Sequence, residues 1–567
     1  MGLKNGEEYH MKLSKKTLLM ILCLILSVFI VACSNDKAGS DKPKDDGKKP
    51  EADKNVEQVL NFTAADTIPS MDSAKATDRL AAQYLNDTTE GLYRLGKDAE
   101  YEPGIALDHE ITDEGLTWTF NLREDAVWAN GEPVTAHDFV YGWTRAVDPE
   151  TASVTGLYTV SEVLKNGTAV NTGEIPLEEL GVKAEDDYTF VVSLAKPVPY
   201  FESLIVTTAF LPQNQKFVEE HGEKFATSAD TLLSNGPFKM TEWDSTASAW
   251  TIEKNEDYWD ADVVQIEKMT YNVVKDPQVA VDLYEKGELD RADISSDLVD
   301  EYLSHDDFTA FAENSLFYLR LNQTRNEALA NQNVRAAIIS AFDKQAIVDS
   351  ILNNGSKVSY GALPDNYSKH PETDEDFRDL NGKLADYDID AAKASWEKGL
   401  AELGTDKVEV ELLADDNELN KQMTEYLANQ LEKNLEGLSI SVRMVPFEQR
   451  IELDKNMDYD IEITGAGASY LDPYSWLNGF VTDAGNNMGY SSEKFDELID
   501  QAMNSLALEP VKRFEAFLEA EKVLFEDSAI APMYQRAKAQ LISPKLENVY
   551  AMPFAKDYEY KWASVSE

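Results

Sequence analysis

The chain has 567 residues, of which 43% are hydrophobic and 28% are charged, which is ordinary globular usage and enough length for about three or four folding units. This composition excludes intrinsic disorder and collagen-like repetition for most of the chain. The formal net charge of −52 excludes a general nucleic-acid-binding role because an acidic surface repels phosphates, and two cysteines exclude a disulfide scaffold and thiolate metal clusters.

The N-terminus has the pattern of a bacterial export signal. Three lysines between residues 12 and 16 precede an apolar run at 18–31, which is shorter than the roughly 20 residues of a spanning helix but typical of a signal peptide. The run ends in Ile-Val-Ala-Cys at 30–33, which resembles the lipobox of bacterial lipoproteins. We predict a signal peptide over 1–32 and lipidation at Cys33; a buried apolar helix with a chance cysteine is the alternative.

A polar segment follows the predicted lipid anchor. Residues 34–56 are rich in Lys, Asp, Gly and Pro, and their positive and negative charges balance. As a flexible coil they span roughly 25–30 Å, and two acyl chains hold a protein stably on a bilayer. We predict a tether over 33–56 on the outer face of the cell membrane of a Gram-positive bacterium, with the N-terminal lipid as the sole membrane attachment.

Strand and helix patterns intermix in the next part of the chain. Apolar residues alternate with polar ones over 116–122 and over 190–194, which predicts two half-buried strands. Between them, Thr135 and Asp138 have the spacing of a capping box, which predicts a helix that begins directly after Thr135.

A βαβ pattern occupies residues 408–445. Alternating apolar residues at 408–412 and 440–444 flank apolar residues that recur every four positions over 419–435, and a crossover of this length requires parallel strands. Residues 460–464 predict a further strand that runs into a glycine-rich turn at 465–470. Because ligands bind beyond the carboxyl ends of strands in open α/β sheets, residues 465–476 are a candidate site wall; a purely structural turn is the alternative.

The sequence contains no residue pattern typical of an enzyme. Its six histidines include no pair at helical metal-ligand spacing. It has no Gly-x-Ser-x-Gly elbow, Walker A loop or dinucleotide-binding fingerprint. The acidic cluster at 374–379 lacks the ligand pattern of an EF-hand. We therefore predict no catalytic residue, no metal site and no cofactor.

One segment carries a family resemblance. Residues 127–143 read Val-Trp-Ala-Asn-Gly-Glu-Pro-Val-Thr-Ala-His-Asp-Phe-Val-Tyr-Gly-Trp and resemble the signature of the family 5 extracellular solute-binding proteins, the oligopeptide- and dipeptide-binding lipoproteins of ABC importers. The resemblance extends over 57–567, because further blocks match in order at 118–123, 197–201, 235–238, 258–259, 333–337 and 487–490.

The resemblance implies an α/β, two-lobed periplasmic-binding-protein-like fold with three subdomains and a central ligand cleft. It divides the chain into lobe 1 (57–105, 235–320 and 525–567), an inserted subdomain (106–234) and lobe 2 (321–524). An extended peptide is expected in the cleft, held mainly through its main chain and buried when the lobes close. The implied partners are an oligopeptide and the permease and ATPase subunits of an ABC importer, and the protein is expected to be a monomer.

The loop at 465–473 departs from the family pattern Gly-Trp-x-Ala-Asp-Tyr-x-Asp/Glu-Pro, in which the central Asp pairs with the ammonium of the peptide. Tyr470 and Asp472 match, but Ala466 replaces the Trp and Ser469 replaces the Asp. The Ser469 hydroxyl carries no charge, so it loses most of the charge-assisted hydrogen bond to the peptide ammonium. Such a bond contributes roughly 1.5–3 kcal/mol. Either another acid takes this role, or the amino end is anchored elsewhere, or the ligand is not an ordinary free-amine peptide.

Other ligand-contact candidates are spread along the chain. Asp66 and Thr67 follow the first predicted strand, and Asp66 is a candidate replacement acid; a solvated turn aspartate is the alternative. The resemblance places Tyr158 and Phe447 where the family often has an aromatic side chain near the ligand, although each is also consistent with core packing. The segment 63–67, which includes Thr67, is expected to supply main-chain hydrogen bonds, and Gly467 of the glycine-rich turn completes the candidate set.

The sequence thus predicts an extracellular receptor that captures oligopeptides in a closing cleft and delivers them to an ABC importer. The substitutions at Ala466 and Ser469 leave open a dedicated receptor for a signalling peptide, or for a non-peptide ligand, on the same fold. A surface hydrolase or adhesin is the hypothesis from a different functional class.

Overall fold

The computed structural model describes residues 56–295 and 297–567, without the side chains of Tyr158 and Asp297. The predicted signal peptide, the predicted lipidation of Cys33 and residues 33–55 of the predicted tether lie outside the described residues. Within the described ranges, no helix combines the length and apolar character that crossing a membrane requires.

Three sheets carry most of the strands. The first sheet has the order Val59–Ala64, Lys268–Val273, Ala249–Lys254 and Phe238–Glu242, with its first two strands parallel and the others antiparallel. The second sheet is antiparallel, in the order Ala106–Thr112, Thr117–Leu122, Thr189–Ser193 and Val182–Asp186. The third sheet has the order Arg291–Ile294, Ile530–Ile542, Phe308–Leu321, Ile461–Gly467, Val408–Asp415 and Leu438–Val445, with Lys357–Val358 also paired to Ile530–Ile542.

Short ribbons and helices complete the described fold. Two-stranded ribbons pair Tyr93–Leu95 with Tyr101–Pro103, Leu546–Glu547 with Ser564–Val565, and Tyr550–Ala551 with Tyr558–Glu559. The longer helices are Arg79–Thr88, Ala136–Val147, Gln215–His221, Pro277–Glu285, Gln332–Ser340, Ile389–Leu403, Glu418–Asn434, Phe447–Lys455, Glu493–Met503 and Pro510–Glu526. Shorter helices include Phe201–Ile205, Phe377–Asn381 and Tyr474–Leu477.

The strand and capping predictions around the second sheet are confirmed. The strands Thr117–Leu122 and Thr189–Ser193 alternate between buried and more exposed side chains, as period-two patterning requires. The helix Ala136–Val147 begins with a capping box, in which the Thr135 backbone N–H donates to the Asp138 carboxylate at 2.7 Å.

The βαβ prediction is also confirmed. Strands Val408–Asp415 and Leu438–Val445 are parallel neighbours, joined by the helix Glu418–Asn434. This helix buries an apolar stripe against the sheet, because residues four positions apart share one helical face; its buried apolar members are Met423, Leu427 and Leu431.

Two long strands position the region of interest. Phe308–Leu321 and Ile530–Ile542 run antiparallel, and their pairing shifts register between Ala312 and Leu316. Beyond that shift, residues 315–321 also pair with Ile461–Gly467. The long strands therefore hold Ile461–Gly467 beside the point where their register changes. The lobe boundaries given above stay predictions.

Candidate ligand-binding site

The strand Ile461–Gly467 has one paired edge and one largely open edge. Along one edge it pairs with residues 315–321 over its full length. Along the other, Val408–Asp415 pairs only with Ile461 and Glu462. The second edge of residues 463–467 has no strand partner within the described ranges, so its N–H and C=O groups can pair with an extended chain.

The structure corrects the predicted glycine-rich turn. Gly465 to Gly467 continue the strand because they pair with residues 315–317, and the turn begins only afterwards. Gly465 is required at its position by a close approach: a Cβ there would lie 2.7 Å from the Phe317 ring. After the strand, the Ser469 N–H donates to Ser475 Oγ at 3.2 Å, which holds the turn.

A cavity of about 470 Å³ lies beside this strand, within the usual size range of ligand sites. We call it the cleft cavity. Residues 465–467 of predicted lobe 2 form one part of its wall, and Arg79, Met552 and Asp557 of predicted lobe 1 form another. The two long strands contribute the rest, which is residues 311–315, Phe317, Arg536 and Lys538. The cleft cavity thus lies between chain segments that the sequence assigns to the two predicted lobes.

Charges of both signs line the cleft cavity. Arg79 contacts Asp557, and Arg536 pairs with Glu313 at 2.5 Å. Burial tends to raise the pKa of Asp557, but the cations Lys538 and Arg79 outweigh it and hold that pKa below its ordinary value.

A second cavity of about 190 Å³ lies on the opposite face of the same strand pair. Leu316 pairs with Ala466 and Phe317 with Gly465, and successive side chains point to opposite faces. The side chain of Ala466 therefore shares the face of Leu316, Tyr318 and Arg320, which line this second cavity. Ala466 also borders the cleft cavity, so the two cavities lie on either side of this residue. We call the second space the Ala466 cavity.

Ser469 and Tyr470 have different surroundings. Ser469 is exposed. The Tyr470 ring stacks on Tyr200, with centroids 4.6 Å apart and planes 9° from parallel. Tyr200 belongs to the predicted inserted subdomain, so this stack joins that subdomain to the site loop. Tyr200 lies in a block that carried the family resemblance, but nothing in its sequence pattern indicated Tyr470 as its partner.

Asp472 orients the loop from within the protein. Its two carboxylate oxygens accept from the Arg513 guanidinium at 2.7 and 2.8 Å, and its N–H donates to the Tyr367 hydroxyl at 3.1 Å. Asp472 is buried, with 7% of its surface exposed. The Arg513 contact gives Asp472 a positioning role in the loop, and its contact with the ligand stays a prediction.

Asp66, Thr67 and Phe447 line neither cavity. The Asp66 carboxylate accepts from the Thr67 N–H at 2.9 Å and pairs with Lys275 at 3.1 Å, and both contacts lower its pKa. The structure thus places Asp66 in an exposed turn, as the alternative expects, and its role as a replacement acid stays a prediction. Phe447 is 60% exposed, so it is not core. The side chain of Tyr158 lies outside the described residues.

Sequence reasoning missed a charged network beside the Ala466 cavity. Arg320 contacts Asp454 and lies 3.5 Å from Glu462. Arg450 contacts Glu462 and pairs with Asp415 at 2.7 Å. Burial raises the pKa of Glu462 to about 7, although Arg320 and Arg450 oppose the rise. These residues come from separate strands and helices, so no spacing in the sequence could have indicated them.

Comparison with known proteins assigns the family. The model of the bacterial extracellular solute-binding proteins, family 5 Middle, matches residues 100–488. The chain belongs to this family. It is 31% identical to the dipeptide-binding protein DppE of Bacillus subtilis, over 98% of this chain and 99% of that protein.

Two solved structures from the same comparisons share the fold. Listeria monocytogenes OppA bound to peptide is 40% identical, with a TM-score of 0.75 over 90% of this chain and 99% of its own. The pheromone receptor PrgZ is 33% identical, with a TM-score of 0.76 over 90% of this chain and 100% of its own. The predicted two-lobed α/β fold is confirmed, and the chain is a solute-binding protein rather than an enzyme.

Proposed function

We propose that this protein captures oligopeptides in the cleft cavity and delivers them to an ABC importer. The observation that carries the proposal is the open edge of residues 463–467 beside a cavity of about 470 Å³. An extended peptide that adds to this edge is held by its main chain, which every peptide sequence offers alike. The affinity of such a site depends on the length and termini of the peptide more than on its side chains, as broad oligopeptide capture requires.

The relatives support the ligand class. One relative is named as a dipeptide-binding protein, and a solved neighbour was determined with a peptide bound. The paired charges of Arg79, Asp557, Arg536 and Glu313 offer partners for both termini of a short peptide. Delivery to the permease and ATPase subunits of an importer follows the role implied by the family. We propose a monomer, to be checked by sedimentation.

The place of action is proposed from the N-terminal sequence. The lipobox-like residues 30–33 and the polar segment 34–56 support a lipid-anchored protein on the outer face of a bacterial cell membrane. The substitution Cys33→Ser should release the protein into the medium while leaving its peptide affinity unchanged. Retention of that variant on the membrane would contradict the lipid anchor.

The decisive experiment is mass spectrometry of the natively purified protein, followed by analysis of what denaturation releases from it. A ladder of mixed peptides would support general oligopeptide capture and give the preferred length directly. If nothing is released, the same protein is titrated with a random peptide library. No binding to a library of peptides of two to about twenty residues would overturn the proposal.

A second candidate function is a dedicated receptor for one ligand. It is favoured by Ala466 and Ser469, which depart from the family loop, and by the 33% identity to a structure described as a pheromone receptor. The same mass spectrometry separates the two functions, because a dedicated receptor would release one dominant species, peptide or not. Weak binding of random peptides beside that species would strengthen this alternative.

A further inference from the structure

The hydrogen bonds of the strand Ile461–Gly467 determine which of its main-chain groups face the open edge. Directly after the strand, the Ala468 N–H donates to the Asn314 carbonyl of the neighbouring strand at 3.0 Å. In an antiparallel pair, every second residue counted back from Ala468 bonds to the same neighbour. The residues between them, Gly465 and Gly467, therefore present their N–H and C=O groups to the open edge, and both glycines are exposed.

An extended peptide that adds to this edge places one residue beside Gly465. Cross-strand neighbours direct their side chains to the same face of a sheet. On its other side Gly465 is the cross-strand neighbour of Phe317, and both residues line the cleft cavity. The peptide residue beside Gly465 therefore directs its side chain into the cleft cavity, on the same face as the Phe317 ring.

The Phe317 ring lies over Gly465 and extends toward the open edge. A Cβ at position 465 would lie 2.7 Å from Cε1 of the ring and 2.9 Å from its Cδ1 and Cζ atoms, so the ring occupies the space that a side chain at 465 would fill. Phe317 is half-buried, so part of its surface is accessible from the cleft cavity. A side chain on the peptide residue beside Gly465 would therefore contact this ring.

An aromatic side chain gains most from this contact. On the side away from Gly465, the Phe317 ring stacks on Tyr534 with centroids 4.8 Å apart and planes 6° from parallel, so a peptide ring beside Gly465 would extend a row of cross-strand rings. Aromatic pairs gain stability beyond the area they bury, which saturated side chains of the same size do not. A cationic side chain would meet Arg536, which already lies over the Phe317 ring at 5.6 Å from its centre, and an anionic one would lose hydration against the apolar ring.

We propose that the peptide residue beside Gly465 is selected for an aromatic side chain and that Phe317 determines this specificity. The inference rests on the oligopeptide-binding function proposed above. It deepens that function by assigning a side-chain preference to one position of a peptide that is otherwise held by its main chain.

The test uses the full chain and hexapeptides with an alanine host sequence, in which each position in turn carries phenylalanine or cyclohexylalanine. Cyclohexylalanine resembles phenylalanine in size but has a saturated ring. At one position at least, the phenylalanine peptide should bind about 2- to 12-fold more tightly in calorimetry. Equal affinities at every position would overturn the subsite alone, whereas a chain that binds none of the peptides would overturn the proposed function with it.

Variants assign the preference to one side chain. Phe317→Leu keeps an apolar side chain but removes the ring, so the ratio of the two affinities should fall to about 1. This ratio is measured within each variant, so a general loss of affinity cancels. Phe308→Leu is the matched control and should keep the wild-type ratio, because Phe308 is a half-buried phenylalanine of the same strand that packs outside the cleft cavity. A wild-type ratio in Phe317→Leu, or an equal loss in both variants, would overturn the assignment to Phe317.

A second variant covers the case in which Phe317→Leu does not fold, as thermal unfolding would show. Gly465→Ala keeps Phe317 but adds a Cβ that the ring must move to avoid. The ratio of the two affinities should fall in this variant as well. A wild-type ratio in Gly465→Ala would overturn the contact between the peptide and the ring.

Discussion

Two buried charge networks in this protein use the same chemistry in different surroundings. In the first, Arg94 donates to both Glu90 and Glu559, and Lys556 pairs with Glu559 at 2.6 Å. All four residues are at most 5% exposed. In the second, the Arg320 side chain is 15% exposed, and Asp415, which pairs with Arg450, is 22% exposed. The first network is sealed, whereas the second borders a cavity.

The two networks differ in how completely the protein encloses them. The first network balances two cations against two carboxylates, with the Tyr258 hydroxyl donating to Glu90 at 2.5 Å. It joins residues 90–94 to residues 556–559 of the C-terminal segment. The second leaves Arg320 Nε without an acceptor beside the Ala466 cavity. A fully paired buried network rigidifies the core around it, whereas the second network lies beside open space.

The largest effect should come from breaking the sealed network. Arg94→Met leaves the carboxylates of Glu90 and Glu559 buried with fewer partners, which should destabilise the protein by about 3–5 kcal/mol. Thermal unfolding would show a marked drop in the transition midpoint. Arg443→Met is the control, because Arg443 is 31% exposed and lies 3.5 Å from Glu411, where an ion pair is worth at most about 1 kcal/mol. Equal shifts in the two variants would contradict the comparison.

The two networks should respond to pH in opposite directions. Burial would raise the pKa of Glu559, but Arg94 and Lys556 outweigh it and lower it to about 2. Its stabilising contribution is complete above the unfolded value of about 4.5 and is lost as the pH falls toward 2. The raised pKa of Glu462, about 7, means that its contribution is complete below about 4.5 and is lost as the pH rises through 7.

Each pH effect amounts to about 3 kcal/mol between the two pKa values. Thermal midpoints of the wild type, Glu559→Gln and Glu462→Gln should be measured from pH 3 to pH 8. Relative to the wild type, Glu559→Gln should lose least stability at the acid end, and Glu462→Gln should gain relative stability toward pH 8. Parallel pH profiles for the three proteins would contradict the assigned pKa directions.

A gain of function tests the receptive region directly. Ser469→Asp places a carboxylate on the exposed loop, and a peptide ammonium bound there should gain roughly 1.5–3 kcal/mol, or about 10- to 100-fold in affinity. The same peptide with an acetylated amino end is the control and should gain nothing. Unchanged affinity for the free-amine peptide would show that the amino end is held elsewhere.

The sequence predicted elements whose cause is local or periodic. The strands around Trp118 and Phe190, the capped helix after Thr135 and the parallel βαβ unit depend on patterning that is visible in one dimension. The family resemblance added the two-lobed fold. The continuation of the strand through Gly465 could not be read locally, because it depends on antiparallel pairing with residues 315–317.

The site residues were harder to predict because their roles depend on partners distant in sequence. Asp472 matched the family loop, but only the structure shows that Arg513 occupies its carboxylate. The sequence indicated Ala466 as a departure without showing that its small side chain faces a cavity. Arg320 belongs to no recognisable sequence motif. Its place in the charged network depends on contacts with Asp454 and Glu462, which lie on other elements.

The smallest effect concerns how the site loop is held in place. The Tyr200–Tyr470 stack joins the predicted inserted subdomain to the site loop, and an aromatic pair contributes about 0.5–1.5 kcal/mol beyond the area it buries. Tyr200→Ala should therefore speed the release of bound peptide by about 2- to 12-fold, with a smaller change in the association rate. Tyr200→Phe keeps the stack and should release peptide at nearly the wild-type rate. If Tyr200→Phe releases peptide as fast as Tyr200→Ala, the hydroxyl rather than the ring holds the loop. If both variants release peptide at the wild-type rate, the stack contributes to the fold without controlling peptide release.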